Sequence, residues 1–275
     1  NYQHVPVDCP QRDERYGWLG DRSATAFGEL YMYDIQHLYS KWMQDIADEQ
    51  LESGALPNLA PAHWKVYRDN VTWPATYVQL VGLLYKYYGD THIVAKFYKS
   101  MQNWMDYIAR NYSFEQVIYS DQYGDWLVPP ENVTKETNLD PRLKSSSDIL
   151  ATATYLLALK DMHDFAQLLQ KNEDADIYKK HLDTLKSVLY GRLMDKSTHS
   201  YGNHSPTELL LLLAENDLSF QDRSLLTKNL LGMLRGQYNG KMAFGLVGMR
   251  WPMKVLSEND ALDFAYQLAT SKVYP

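Results

Sequence analysis

Apolar and aromatic side chains recur along this chain at three- and four-residue steps, the spacing that lays a stripe along one face of a helix. The spacing predicts a helix from Ser23 to Gln50 carrying Phe27, Leu30, Tyr31, Leu38, Trp42, Met43 and Ile46. A second is expected from about Thr72 to Tyr88, with Pro74 tolerated in its first turn and Gly89-Asp90 ending it. Thr91 is read as the cap of a third, which carries Ile93, Val94, Phe97, Met101, Trp104, Met105 and Ile108. Ser145–Lys171 and Glu173–Asp195 read as an antiparallel pair joined near Asn172, with shorter helices at Ser205–Glu215, Phe220–Arg235 and Ser257–Ser271. Strand-type alternation is confined to Phe114–Ser120, a short hairpin arm. The pattern is all-α, with paired helices and no repeated solenoid signature. Either an open superhelix or a closed toroid of inner and outer helices accommodates it.

Loop chemistry favours the toroid, where the loops between inner helices gather around one funnel. Ala60–Pro74 holds Trp64, Tyr67, Arg68, Asp69 and Trp73, and Ser120–Asn132 holds Asp121, Tyr123, Asp125, Trp126 and Glu131. Carboxylates accept hydrogen bonds from vicinal hydroxyls, and aromatic faces cover the C–H patches of a pyranose, so this mixture suits sugar binding. Core plugging is the alternative use of such tryptophans.

Composition narrows the partners. The 275 residues are 45% apolar and 22% charged, ordinary globular material for one large domain. A formal charge of −7 supplies no basic field for nucleic acid or an anionic membrane surface. The longest apolar run, Leu209–Ala214, is far too short to span a bilayer. Cys9 is the single cysteine, which excludes an intrachain disulfide and reads as a buried thiol rather than a nucleophile. The histidines show no helical metal-ligand pair and the glycines form no nucleotide-binding loop, so neither a metal nor a cofactor is expected. The chain reads as an excerpt of a longer protein, which leaves its localisation open: cytoplasmic, periplasmic or secreted.

The densest chemistry lies in "DCPQRDERYGWLGD", Asp8 to Asp21. A glycosidase needs one carboxylic acid that protonates the leaving oxygen and a second carboxylate to activate water or attack the anomeric carbon. Asp8, Asp13 and Asp21 near Glu14, with burial beside Trp18, disfavour its ionised form, while Arg12 and Arg15 oppose that shift. A solvated, internally ion-paired cluster at a helix start is the plain structural alternative.

The string "VDCPQRDERYGWLGD" resembles the signature of bacterial α-L-rhamnosidases, glycoside hydrolase family 78. "KWMQDIADEQLESGALPNLAP", "YKYYGD", "GDWL" and "FGLVGMRWPMKVLSENDALDFAYQLATSKVYP" resemble their (α/α)6 catalytic barrel. The resemblance implies an inverting glycosidase with Glu14 as general acid, Asp8, Arg12, Asp13 and Asp21 contacting rhamnose hydroxyls or organising the site, and Trp18 against the sugar. It implies that Trp73 and Trp126, with Asp125 beside them, wall the 6-deoxy methyl group. It places the general base in closing helices beyond Pro275 and any β-sandwich domains outside residues 1–275, so this piece of the barrel alone is expected to hydrolyse nothing. Glu258 in "LSEND" is read instead as part of a helix start. Two rivals stand beside this reading: a non-catalytic rhamnose-binding derivative, and an α-helical scaffold for a protein partner.

Overall fold

A computed structural model describes residues 5–8, 13–68, 71–119, 121–128, 145–215 and 218–272. Among them the chain forms α1 (Leu19–Met32), α2 (Gln36–Asp48), α3 (Ala75–Tyr88), α4 (Thr91–Tyr112), a two-stranded ribbon, α5 (Ser147–Leu168), α6 (Asn172–Ser187), a π-helical turn (Val188–Leu193), α7 (Pro206–Ala214), α8 (Phe220–Arg235), α9 (Pro252–Glu258) and α10 (Leu262–Thr270). The ribbon pairs Ser113 with Ile118 and Phe114 with Val117.

Burial sorts these helices into two layers. α3 and α5 are apolar around most of their circumference and every residue of α7 is buried, as befits helices covered on all sides. α2, α4, α6 and α8 each bury one stripe, for α4 the set Ile93, Val94, Phe97, Met101, Trp104, Met105 and Ile108 with Tyr98. The inner helices α1, α3, α5, α7 and α9 pack side by side in chain order, and α4, α6, α8 and α10 each pack on the inner helix that precedes them. α2 packs on α3 and α4. The result is an all-α arc of a toroid, with four packed inner–outer helix pairs and the α1–α2 entry among the described residues. None of the described helices is long and apolar enough to cross a membrane.

The expected helix over Ser23–Gln50 is in fact two. α1 starts at Leu19 and stops at Met32, Tyr33 is extended, and Ile35 donates its N–H to the Tyr88 hydroxyl at 3.2 Å. The buried positions step from Leu30 to Ile35, five residues, which no single helix face accommodates. The chain turns there from inner to outer layer. Asp90, not Thr91, caps α4, accepting from the N–H groups of His92 and Ile93. The expected Ser257–Ser271 helix also divides, at Asp260, whose backbone is left-handed with φ 56°. Glu258 therefore ends α9 instead of opening a helix, and its carboxylate lies 3.6 Å from Lys254 on the surface. Pro252 at the first position starts α9, a helix too short for its periodicity to show in sequence.

A buried carboxylate joins two inner helices at the end that carries the site. Glu208 completes a capping box with Ser205 at the start of α7, and also accepts from the N–H of Asn203 at 3.2 Å and of Ser146, the N-cap of α5. Burial pushes its carboxyl up to about 7. Ser205→Ala is expected to lower stability by about 1 kcal/mol, the usual worth of an N-cap. Glu208→Ala is expected to cost more, on the order of 2–4 kcal/mol, because it orphans several buried donors at once. Chemical unfolding of the two variants in the full-length protein checks the order; an equal or reversed effect would contradict this account.

Candidate active site

Residues 17–19, at the entry to α1, lie antiparallel against residues 58–60. Trp18 bridges to Leu59, the Ala60 N–H donates to the Gly17 carbonyl at 2.9 Å, and the Leu19 N–H donates to the Asn58 carbonyl at 3.0 Å. A side chain at Gly17 has no room, since its Cβ would stand 2.1 Å from the Ala60 carbonyl oxygen. Gly20 is required in the same way, because a Cβ there would stand 2.2 Å from the Trp73 indole. The other side of the contact is anchored too: the Trp42 indole N–H donates to the Ala60 carbonyl at 2.9 Å, and the Thr76 hydroxyl donates to the Leu19 carbonyl at 3.0 Å. The two glycines of "YGWLGD" are thus there for close approach of backbone and indole, not for a left-handed turn.

This docking sets Glu14, Trp18 and Asp21 around one cavity. It has a volume of about 430 Å³ and is lined by Asp8, Glu14, Trp18, Asp21, Trp73, Tyr123, Trp126 and Leu127. The Trp18 indole N–H donates to Glu14 Oε1 at 2.7 Å, which fixes the carboxyl against the ring. Asp21, in the first turn of α1, has its carboxyl pushed up to about 7, first by burial and then by the charge of Asp8, with a hydrogen bond to Asp8 and the charge of Glu14 adding to it. Like-charge crowding thus adds to burial in raising the carboxyl of Asp21.

Aromatic rings close the rest of the wall. Trp73, at the start of α3, is almost fully buried and lies 4.8 Å from the Tyr123 ring. Tyr123 meets Trp18 and Trp126 edge-on at 6.2 and 6.3 Å. Trp126 is 38% exposed, so it stands at the cavity's rim. Tyr123 is the central ring of this group, and in the sequence it stands out only as one aromatic of its loop. Its signal was the spacing in "DQYGDW", where buried aspartates bracket it on both sides.

Those aspartates are fasteners. Asp121 accepts from the N–H groups of Val71 and Thr72 at 2.9 and 3.0 Å, from the Thr72 hydroxyl, and from the Gly124 N–H at 2.8 Å. It ties the Trp73 loop to the Tyr123 loop. Asp125 accepts from the Thr207 hydroxyl at 2.5 Å and from the N–H groups of Gly245, Val247 and Gly248 at 2.9–3.2 Å. Burial pushes both carboxyls up, against the pull of these bonds. Asp125 was expected among the substrate-binding residues, beside Trp73 and Trp126; with 1% exposure and both oxygens engaged by chain donors, it does not line the cavity. Asp13 is exposed and does not line the cavity either. Arg12, like Cys9, Asp69 and Glu131, lies outside the described residues. Among the described residues no group of three or more His, Cys, Asp or Glu side chains is arranged to hold a metal ion.

Relatives share this architecture. The α-L-rhamnosidase of Alteromonas sp. (strain LOR) is 28% identical over 277 residues, which take in 100% of this chain and 30% of that protein. The structure of an α-L-rhamnosidase from Dictyoglumus thermophilum superposes with a TM-score of 0.88 at 26% identity, covering 100% of this chain and 30% of that one. A native α-L-rhamnosidase from Aspergillus terreus superposes with a TM-score of 0.87 at 25% identity, covering 100% of this chain and 32% of that one. This chain thus spans less than a third of the length of the curated relatives it matches. Residues 1–275 match throughout the family described as bacterial alpha-L-rhamnosidase 6 hairpin glycosidase domain, and the chain belongs to that family.

Proposed function

We propose that the full-length protein is a glycoside hydrolase that releases terminal α-L-rhamnose from rhamnosides with inversion, and that Glu14 is its general acid. The observation that carries this reading is the Trp18–Glu14 hydrogen bond at the edge of a cavity that also holds Asp8 and Asp21. The cavity's volume lies within the ~300–1,000 Å³ usual for small-ligand sites. Its carboxylates are acceptors for sugar hydroxyls. Its aromatic wall of Trp73, Tyr123 and Trp126 suits a methyl corner, because ring faces cover apolar substituents.

Chemistry at this site starts with proton transfer from Glu14 to the glycosidic oxygen as the C1–O bond breaks. Positive charge then spreads over C1 and the ring oxygen, and the Asp8 carboxylate stabilises it more than it stabilises the neutral ground state. Water attacks from the opposite face, activated by a second carboxylate about 6.5–9.5 Å from the acid. We assign that base to a part of the full-length protein outside residues 1–275, and the binding of rhamnose to residues within them. A second reading places the proton donor at Asp21, because Asp21 is the cavity carboxyl that burial and Asp8 push up to about 7.

Kinetics separate the two. Glu14→Gln is expected to lower kcat about 10²–10⁴-fold on substrates with sugar or alkyl leaving groups and much less on dinitrophenyl rhamnoside, whose leaving group needs no proton. If Asp21→Asn shows that pattern and Glu14→Gln does not, Asp21 is the donor. NMR of the first-formed sugar should show the β anomer; accumulation of α-L-rhamnose first would overturn inversion.

The same carboxyl makes a stability prediction. Asp21 binds its proton more tightly in the folded state than in the unfolded chain, so it withdraws stability as pH rises from about 4 to about 7. Asp21→Asn removes the titration. Its Tm relative to wild type should therefore rise between pH 4 and pH 8 and level off above; a difference independent of pH would show that Asp21 is not held protonated.

A further inference from the structure

Outside the cavity, one group of aromatics has no role in the core or in the wall. Tyr16 packs against Trp64, with ring centroids 4.2 Å apart and planes tilted by 47°, and lies nearly parallel to His63 at 6.0 Å. Trp64 is 55% exposed and His63 is exposed, while Tyr16 is half-buried beneath them. A tryptophan presented to solvent contributes little to folding, since most of its apolar face stays wet.

The position of this group relative to Glu14 follows from the backbone. Residues 16–18 are extended against residues 59–60, so side chains alternate and Tyr16 shares a face with Trp18, about 7 Å along the strand. Trp18 holds the Glu14 carboxyl. The platform therefore flanks the Trp18–Glu14 pair on the side away from α1. In any glycosidase the acid stands at the glycosidic oxygen, with the sugar on one side and the leaving group on the other.

We propose that Tyr16, Trp64 and His63 form the subsite for the leaving group, a surface that stacks on the flat apolar face of a ring, whether an aryl ring or the C–H face of a pyranose. This inference rests on the reading of Glu14 as proton donor. The platform is preorganised: the His63 N–H donates to Pro61, the Lys65 N–H to Ala62, and the Tyr67 hydroxyl to the Glu49 carbonyl at 2.5 Å, which ties the loop to the end of α2. A ring that lands there finds its partners already in place and orders no loop.

The test uses the full-length protein, the variants Trp64→Ala and Trp64→Phe, and three substrates: 4-nitrophenyl α-L-rhamnoside, an α-L-rhamnosyl-glucose disaccharide, and methyl α-L-rhamnoside, which has no leaving-group ring. For Trp64→Ala the ratio of kcat/KM on a ring substrate to that on the methyl glycoside should fall on the order of three- to tenfold, mostly through KM. Trp64→Phe, which keeps a flat face, should recover most of it. A fall confined to the nitrophenyl substrate identifies an aryl subsite, a fall confined to the disaccharide a sugar subsite, and a fall on both a surface for either ring. An equal loss on all three substrates, or no loss on either ring substrate, overturns the proposal. Should the wild-type protein turn over none of them, the reading of Glu14 fails. The platform is then judged by calorimetric titration with 4-nitrophenyl α-L-rhamnoside, where Trp64→Ala must weaken binding and an unchanged Kd rejects it.

Discussion

The close contact of Gly17 with Ala60 sets the geometry on which the site depends. With the Ala60 N–H bonded to the Gly17 carbonyl and no space for a Cβ, the extended strip can lie only one way on the loop that follows α2. That register turns Trp18 and, through its indole N–H, Glu14 into the cavity. It also delivers the chain to Leu19, where α1 starts with Asp21 in its first turn. A slip of one residue would reverse every side chain along the strip, so Glu14, the Trp18 ring and Asp21 are all held by one backbone pairing.

Carboxylates divide here by where their hydrogen bonds go. Asp121, Asp125 and Glu208 are buried and accept from backbone N–H groups of distant segments, so they act as fasteners between loops and helix starts. Asp8, Glu14 and Asp21 instead line the cavity. The two kinds lie close together because both gather at the ends of the inner helices. A fastener such as Asp125 governs the cavity through the chain it holds, and its loss would be felt as misplaced aromatics rather than as a missing ligand.

The inner and outer layers were legible in the residues themselves. A helix covered on all sides must be apolar all round, and α7 with its run of leucines reads that way in any sequence; a helix with one wet face must carry a stripe, as α4 does. The breaks were harder to see. The turn at Tyr33–Ile35 follows no proline or glycine and is set by packing, including the bond from Ile35 to Tyr88 more than fifty residues away. The division at Asp260 turns on one left-handed non-glycine residue.

By itself the sequence determined the all-α class, the crowded carboxylates of Asp8 to Asp21 and the aromatic loops, because periodicity and local residue chemistry are properties of neighbours in the chain. Only the tertiary structure decided which of those residues share a cavity. Asp125 and Trp126 are adjacent in sequence, yet one is buried under Thr207 and Gly245 and the other stands at the rim, a difference created by segments more than eighty residues distant. The proton affinity of Asp21 likewise depends on burial and on its distance from Asp8, quantities that exist only once the chain has closed on itself.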